Sequence, residues 1–95
     1  MGMFDRLYDK QGVEWQTKAY ECNLDAFRLG DRVPDIEPYE GLATYQVEVL
    51  GGPGEGLTDS LATVREGHLY EVPSRRDHSL PLVNYSGHVV EGGDQ

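Results

Sequence analysis

Few stretches of this 95-residue chain combine residue types and spacing suited to chemistry. Arg75-Arg76-Asp77-His78 is the only local basic cluster. Adjacent guanidiniums suit phosphate or carboxylate, which they grip through forked hydrogen bonds. Arg75, Arg76 and His78 are therefore candidate anion-binding residues. The competing reading is that they pair with some of the 17 Asp and Glu side chains or with water. An exposed pair of that kind contributes only ~0–1 kcal/mol. The glycine-rich run GGPGEG, residues 51–56, resembles a phosphate cradle in composition. A cradle of that type needs a lysine and a hydroxyl directly after its last glycine. Leu57 follows Gly56, and no lysine lies beyond Lys18. The run reads instead as a connection between strands. Cys22 would need a base, from His68, His78 or His88, to act as a nucleophile. No signature brings one to it, so an inert buried thiol is expected. The three histidines lack the pair spacing of a metal site. No catalytic residue, cofactor or metal is assigned.

A second group of residues suits recognition. Residues 31–40 (DRVPDIEPYE) are the most acidic stretch, with Pro34 and Pro38 denying it regular ladder bonds. It reads as a surface loop, and it lacks the alternating Asp spacing of a calcium loop. Tyr39 lies within it, and tyrosine is abundant at 6 residues against 2 phenylalanines. Tyrosine packs its ring while bonding through its hydroxyl, which suits binding surfaces. Trp15, Gln16, Lys18, Asp35, Glu37, Tyr39 and Glu40 are the candidate partner-binding residues. Acids around aromatic rings would fit a basic protein partner. Trp15, Tyr45 and Tyr70 also lie in alternating runs, and there the competing expectation is burial in a core.

The elements that must position these residues are short strands. Residues 13–18 alternate, with Val13, Trp15 and Thr17 on one face. Residues 44–50 alternate likewise, with Tyr45, Val47 and Val49 on one face and Thr44, Gln46 and Glu48 on the other. Residues 60–65 and 68–72 flank Glu66-Gly67, which predicts a hairpin with a primed turn. Residues 3–8, 80–85 and 88–90 are weaker strand candidates, and Pro81 would confine its strand to an edge. Over residues 19–29, Tyr20, Leu24 and Phe27 fit a helical face, but a bend followed by a strand is favoured. The fold expected is all-β, with five to seven short strands and at most one short helical turn. It would form a small antiparallel sheet, or a barrel or sandwich. Leu29-Gly30-Asp31-Arg32-Val33 resembles the turn that enters a strand in SH3-like barrels. One domain over residues 1–91 is expected, followed by a frayed tail at 92–95.

Composition narrows function further. Leu, Ile, Val and Phe make up 22 of 95 residues. That is just above the ~20% level below which high charge usually means disorder. The net charge is −9. Such a surface repels polyphosphate and anionic lipid, so neither direct nucleic-acid binding nor membrane docking is expected. No apolar run approaches the ~20 residues of a membrane span. MGMFDRLYDK lacks the features of a signal peptide, and Arg6 occupies the Ser/Thr position of a myristoylation motif. A single cysteine forms no disulfide within the chain, which fits a reducing cytoplasm.

The MGMFD start, Trp15-Gln16-Thr17-Lys18, Cys22-x-Leu24-x-x-Phe27 and Gly30-Asp31 together resemble a group of small uncharacterised proteins of bacteria and bacteriophages. The resemblance covers about residues 1–33. Some members carry a Cys-x-x-Cys zinc knuckle between the start and the Gln-Thr-Lys core. Here LYDKQGVE, residues 7–14, stands in its place. The resemblance implies a cytoplasmic or phage-encoded accessory protein and brings no activity with it.

Three functions are carried forward. The first is a non-enzymatic protein-binding module using a sheet edge or the acidic face; if phage-encoded, it would inhibit a host protein by presenting carboxylates in place of DNA phosphates. The second is a structural homo-oligomer, such as a virion component. The third is a small-molecule or nucleotide binder built on Arg75, Arg76, His78 and the glycine run. Enzyme activity ranks lowest, because a β domain this small has little volume for a convergent cleft.

Overall fold

The alternation at 13–18 and at 44–50 builds the centre of one sheet. The computed structural model describes residues 4–20, 24–34, 44–52 and 58–91. Its strands are β1 (Asp5–Tyr8), β2 (Glu14–Thr17), β3 (Ala26–Arg28), β4 (Tyr45–Gly51), β5 (Thr58–Arg65), β6 (His68–Ser74), β7 (Leu82–Val83) and β8 (Val89–Glu91). The main path runs β3-β1-β2-β4-β5-β6, with β7 pairing β4 and β8. Trp15 and Thr17 of β2 and Tyr45, Val47 and Val49 of β4 all point into the core, as their period of two requires. Leu7, Val64, Leu69 and Val83 complete it from other strands. The architecture is an all-β small barrel, and no described residue is helical. No helix among the described residues is long and apolar enough to cross a membrane.

The segment that resembled an SH3-like turn closes the barrel. It leaves β3 at one end of the path and meets β6 at the other. Gly30 N–H donates to Leu69 O at 2.7 Å, Leu69 N–H to Asp31 O at 2.9 Å, and Val33 N–H to Gly67 O at 2.8 Å. Protonated at Nδ1, the His68 ring donates to Gly30 O at 3.1 Å. The turn itself is tied twice. Asp31 N–H donates to Arg28 O, and the Asp31 carboxylate accepts Arg28 N–H at 2.8 Å. Gly30 has φ +91°, a conformation L side chains rarely adopt, although nothing would crowd a Cβ there. Backbone conformation, not space, selects glycine at this position.

Several expectations need correction. The sheet is mixed, because β1–β3 and β4–β7 are parallel. A parallel pair requires a crossover, which β2 and the long β5–β6 hairpin supply. Eight strands form, the extra ones being very short. Pro81 does not mark an edge, since β7 lies between β4 and β8. Pro81 stands just before β7 and uses its carbonyl, which accepts Gln46 N–H at 2.9 Å. As favoured for residues 19–29, a bend precedes strand β3, and Tyr20, Leu24 and Phe27 share no helix. The chain bends at 18–20, and Leu24 has φ +61°. The Tyr20 and Phe27 rings still meet edge to face, 6.1 Å apart. The predicted hairpin forms as expected, with Glu66 and Gly67 both at positive φ. The terminal residues 92–95 lie outside the described residues.

β4 shares one edge between two strands. Its C-terminal end pairs with β2 and its N-terminal end with β7. Thr17 fills the fork between them, fully buried. Its hydroxyl reaches Glu48 O at 3.2 Å and Tyr85 O at 3.4 Å and accepts Ala19 N–H. Lys18 N–H donates to the same Tyr85 carbonyl at 2.9 Å. The polar groups where the ladder changes hands are thereby satisfied.

A second buried polar contact links Tyr20 and Tyr45, whose hydroxyls lie 3.0 Å apart. Burial, with Tyr45 and Asp5 nearby, holds the Tyr20 hydroxyl well above its ordinary value of 10.0. The folded protein therefore keeps Tyr20 neutral where the unfolded chain ionises it. The associated stability is complete below about pH 10 and falls as pH rises beyond it. Urea unfolding at about pH 8 and about pH 11 checks this. Tyr20→Phe should lose ~1 kcal/mol at the lower pH and show a shallower loss between the two. An unchanged slope contradicts the assignment.

Candidate functional site

The candidate anion-binding residues converge beside β6, and one buried amide explains how. Gln46 lies on the face of β4 that alternation assigns to solvent. It is instead 1% exposed, because the loop after β6 folds over it. Its Nε2 donates to Arg75 O at 2.7 Å and to Thr63 Oγ1 at 3.1 Å. Its Oε1 accepts Asp77 N–H at 2.8 Å and Arg76 Nη1–H at 3.0 Å. Only one orientation of the amide meets these needs, since Arg75 O requires a donor and Asp77 N–H an acceptor. The chain continues outward from Thr63. Its hydroxyl donates to Ser74 Oγ at 2.8 Å, and Ser74 donates to Glu71 O at 3.0 Å. Hydrogen bonds linked in series polarise and strengthen one another.

Arg76 is thus an internal clip. Besides Gln46 it donates to Leu80 O at 2.9 Å and to Asp77 O. Its Nη1 is engaged by Gln46 and the loop, so this candidate anion-binding residue serves a structural role. Asp77 closes the loop on itself by accepting the Ser79 hydroxyl and N–H, at 2.5 and 2.9 Å. Those two bonds hold its carboxyl below the ordinary carboxylate value. Arg75 and His78 are exposed.

All three predicted anion-binding residues line one groove of about 670 Å³. Arg65, Tyr70, Glu71 and Asp77 line it too. Arg65 was not singled out from sequence, and Tyr70 was expected in the core. The tight Glu66-Gly67 hairpin brings them together, and the Arg65 guanidinium stacks 4.0 Å from the Tyr70 ring centre. Their positions flanking the turn were the available signal. A second groove, about 500 Å³, lies on the other side of Tyr70 and is lined by Leu29, Val72, Pro73 and Asp9–Gln11.

The predicted partner-binding residues do not converge. Trp15 is 5% exposed, its indole N–H near Asp9 Oδ2 at 3.4 Å, so its ring is core and not surface. This corrects its place among the partner-binding residues and confirms the competing expectation for it. Tyr45 is likewise core, whereas Tyr70 is 52% exposed and departs from that expectation. Gln16 is half-buried in β2 between Arg6 and Leu50, and Lys18 is half-buried beside Tyr85. Asp35, Glu37, Tyr39 and Glu40 lie outside the described residues, as do Cys22 and residues 53–56 of the glycine run. Among the described residues no group of three or more His, Cys, Asp or Glu side chains is placed to hold a metal.

Gln46→Leu keeps the packing volume but strands Arg75 O, Asp77 N–H and Thr63 beneath the loop. Urea unfolding should show a loss of ~2–4 kcal/mol. A loss below ~0.5 kcal/mol, the range of ordinary surface changes, contradicts the hub role.

Compared with known proteins, the chain matches no family model, no curated protein and no solved structure.

Proposed function

We propose that this chain is a non-enzymatic binding module that grips a segment of a partner protein around Tyr70. The observation that carries the reading is Tyr70 itself. It is a half-exposed aromatic residue on the terminal strand of the sheet path, and it lines the grooves on both sides. A rigid ring with two grooves at its flanks is the usual form of an interface anchor.

The mode of engagement follows from the edge. Among the described residues β6 is met on its outer side only as far as Leu69. Beyond that point its backbone would invite an added strand. Two register shifts against β5 and the presence of Pro73 blunt that invitation. Recognition by side chains in the grooves is therefore favoured over strand addition. Both grooves are broad and open, which suits a peptide segment better than the enclosed, convergent site that catalysis requires. The acidic loop expected to meet a basic partner lies largely outside the described residues. The resemblance of residues 1–33 to bacterial and bacteriophage proteins supports an accessory role, and the single cysteine supports a cytoplasmic setting.

Random peptides displayed on phage and selected on the immobilised protein test the reading. Selected peptides should bind the wild type and weaken at least ~10-fold against Tyr70→Ala, whose folding is checked by its melting temperature. Recovery of no binders, or of binders indifferent to Tyr70, overturns it.

A further inference from the structure

The charge around Tyr70 is distributed unlike the rest of the chain. Residues 51–95 contain three arginines and no lysine. All three, Arg65, Arg75 and Arg76, line the same groove, together with His78. Two carboxylates, Glu71 and Asp77, share the lining, so the groove is net positive by one charge with His78 neutral. Asp77 is turned to Ser79. The chain as a whole carries −9. The groove is thus a local reversal of sign on an acidic protein.

Two of the cations are also held in place. Arg76 is fixed by Gln46 and Leu80 O, and Arg65 is stacked on Tyr70. Arg75 starts from a backbone whose carbonyl is tied to Gln46. Guanidiniums held in advance lose less freedom when they grip a ligand. On the other side of Tyr70 the apolar side chains of Leu29, Val72 and Pro73 stand beside Asp9–Gln11 and Glu71. An occupant that spans both grooves needs an apolar side chain at one end and negative charge at the other.

We infer that the grooves flanking Tyr70 bind an acidic peptide segment, with an apolar residue against Leu29, Val72 and Pro73 and carboxylates at the exposed Arg65 and Arg75. This rests on the binding-module reading and names its ligand. The overall −9 does not forbid it, because charges farther than the Debye length of ~8 Å at physiological salt are largely screened. The same charge slows the approach of an acidic ligand, so the specificity is set by contact and not by steering.

The test is a titration of the full chain followed through its backbone amide NMR signals. Three probes are used at physiological salt: a capped peptide of one leucine and four glutamates, its counterpart with four lysines, and inorganic pyrophosphate. The glutamate peptide should shift the amides of Arg65, Tyr70 and residues 75–79 in a saturable way. The double variant Arg65→Glu with Arg75→Glu, both exposed positions, should weaken it at least ~10-fold. An otherwise unchanged amide spectrum shows that the variant is folded. Tighter binding of the lysine peptide at these amides overturns the inference, as does indifference of the glutamate peptide to the double variant. Pyrophosphate acting at lower concentration than the peptide makes the groove a small-anion site and also overturns it. Display peptides that need Tyr70 but carry no acids leave the binding module standing and remove only its acidic ligand.

Discussion

The side-chain amide of Gln46 is the constraint on which the site depends. A buried amide left unpaired would cost several kcal/mol, and a half-satisfied one is worse than an apolar residue. Gln46 avoids that cost by using both ends of its amide twice over. Its partners come from β5 and from the loop after β6. The bonding of one residue in the central strand therefore decides where Arg75, Arg76 and Asp77 stand. The loop needs no regular structure of its own, because it is pinned at three successive residues. The Thr63–Ser74–Glu71 relay carries the same bonding into β6. Core and groove are joined through one polar network.

Barrel closure supplies the second half of the geometry. Residues 30–33 pair with the first turn of β6 and stop at Leu69. The next residue, Tyr70, is thereby released from the seam. Further along, bulges and Pro73 turn the edge away from strand addition. The surface that remains is a ring with two grooves, one of them lined by three arginines. The chain as a whole carries its acids on both halves.

Much of the scaffold was legible in the sequence, and the site was legible only in part. Period two placed Trp15, Thr17, Val47 and Val49 correctly, because strands buried on one face obey that period. Glu66-Gly67 announced its hairpin through the residue types that positive φ demands. Leu29 to Val33 announced a turn, although not that the turn closes the barrel. Gln46 was misread for a physical reason. Alternation reports which face a side chain takes, but not whether a distant loop covers that face. The loop carried a clue in Arg76 and Asp77, which need partners when they lie close to a sheet. The parallel pairing of β4 with β7 had no local signature, since it depends on how the chain returns after the hairpin. Tyr70 was misplaced because bulges in β6 break the period that had assigned it to the core.

The central claim is that Gln46 locks the loop that builds the groove, and the backbone amide of Asp77 reports on it most directly. That N–H sits in an exposed loop with no strand partner, yet it donates to a buried acceptor. Native-state hydrogen exchange followed by NMR measures its protection. The account predicts that Asp77 N–H exchanges as slowly as the paired amides of β4 and β5, opening only with the sheet. Exchange at the rate of a free loop amide would contradict it and detach the groove from the core.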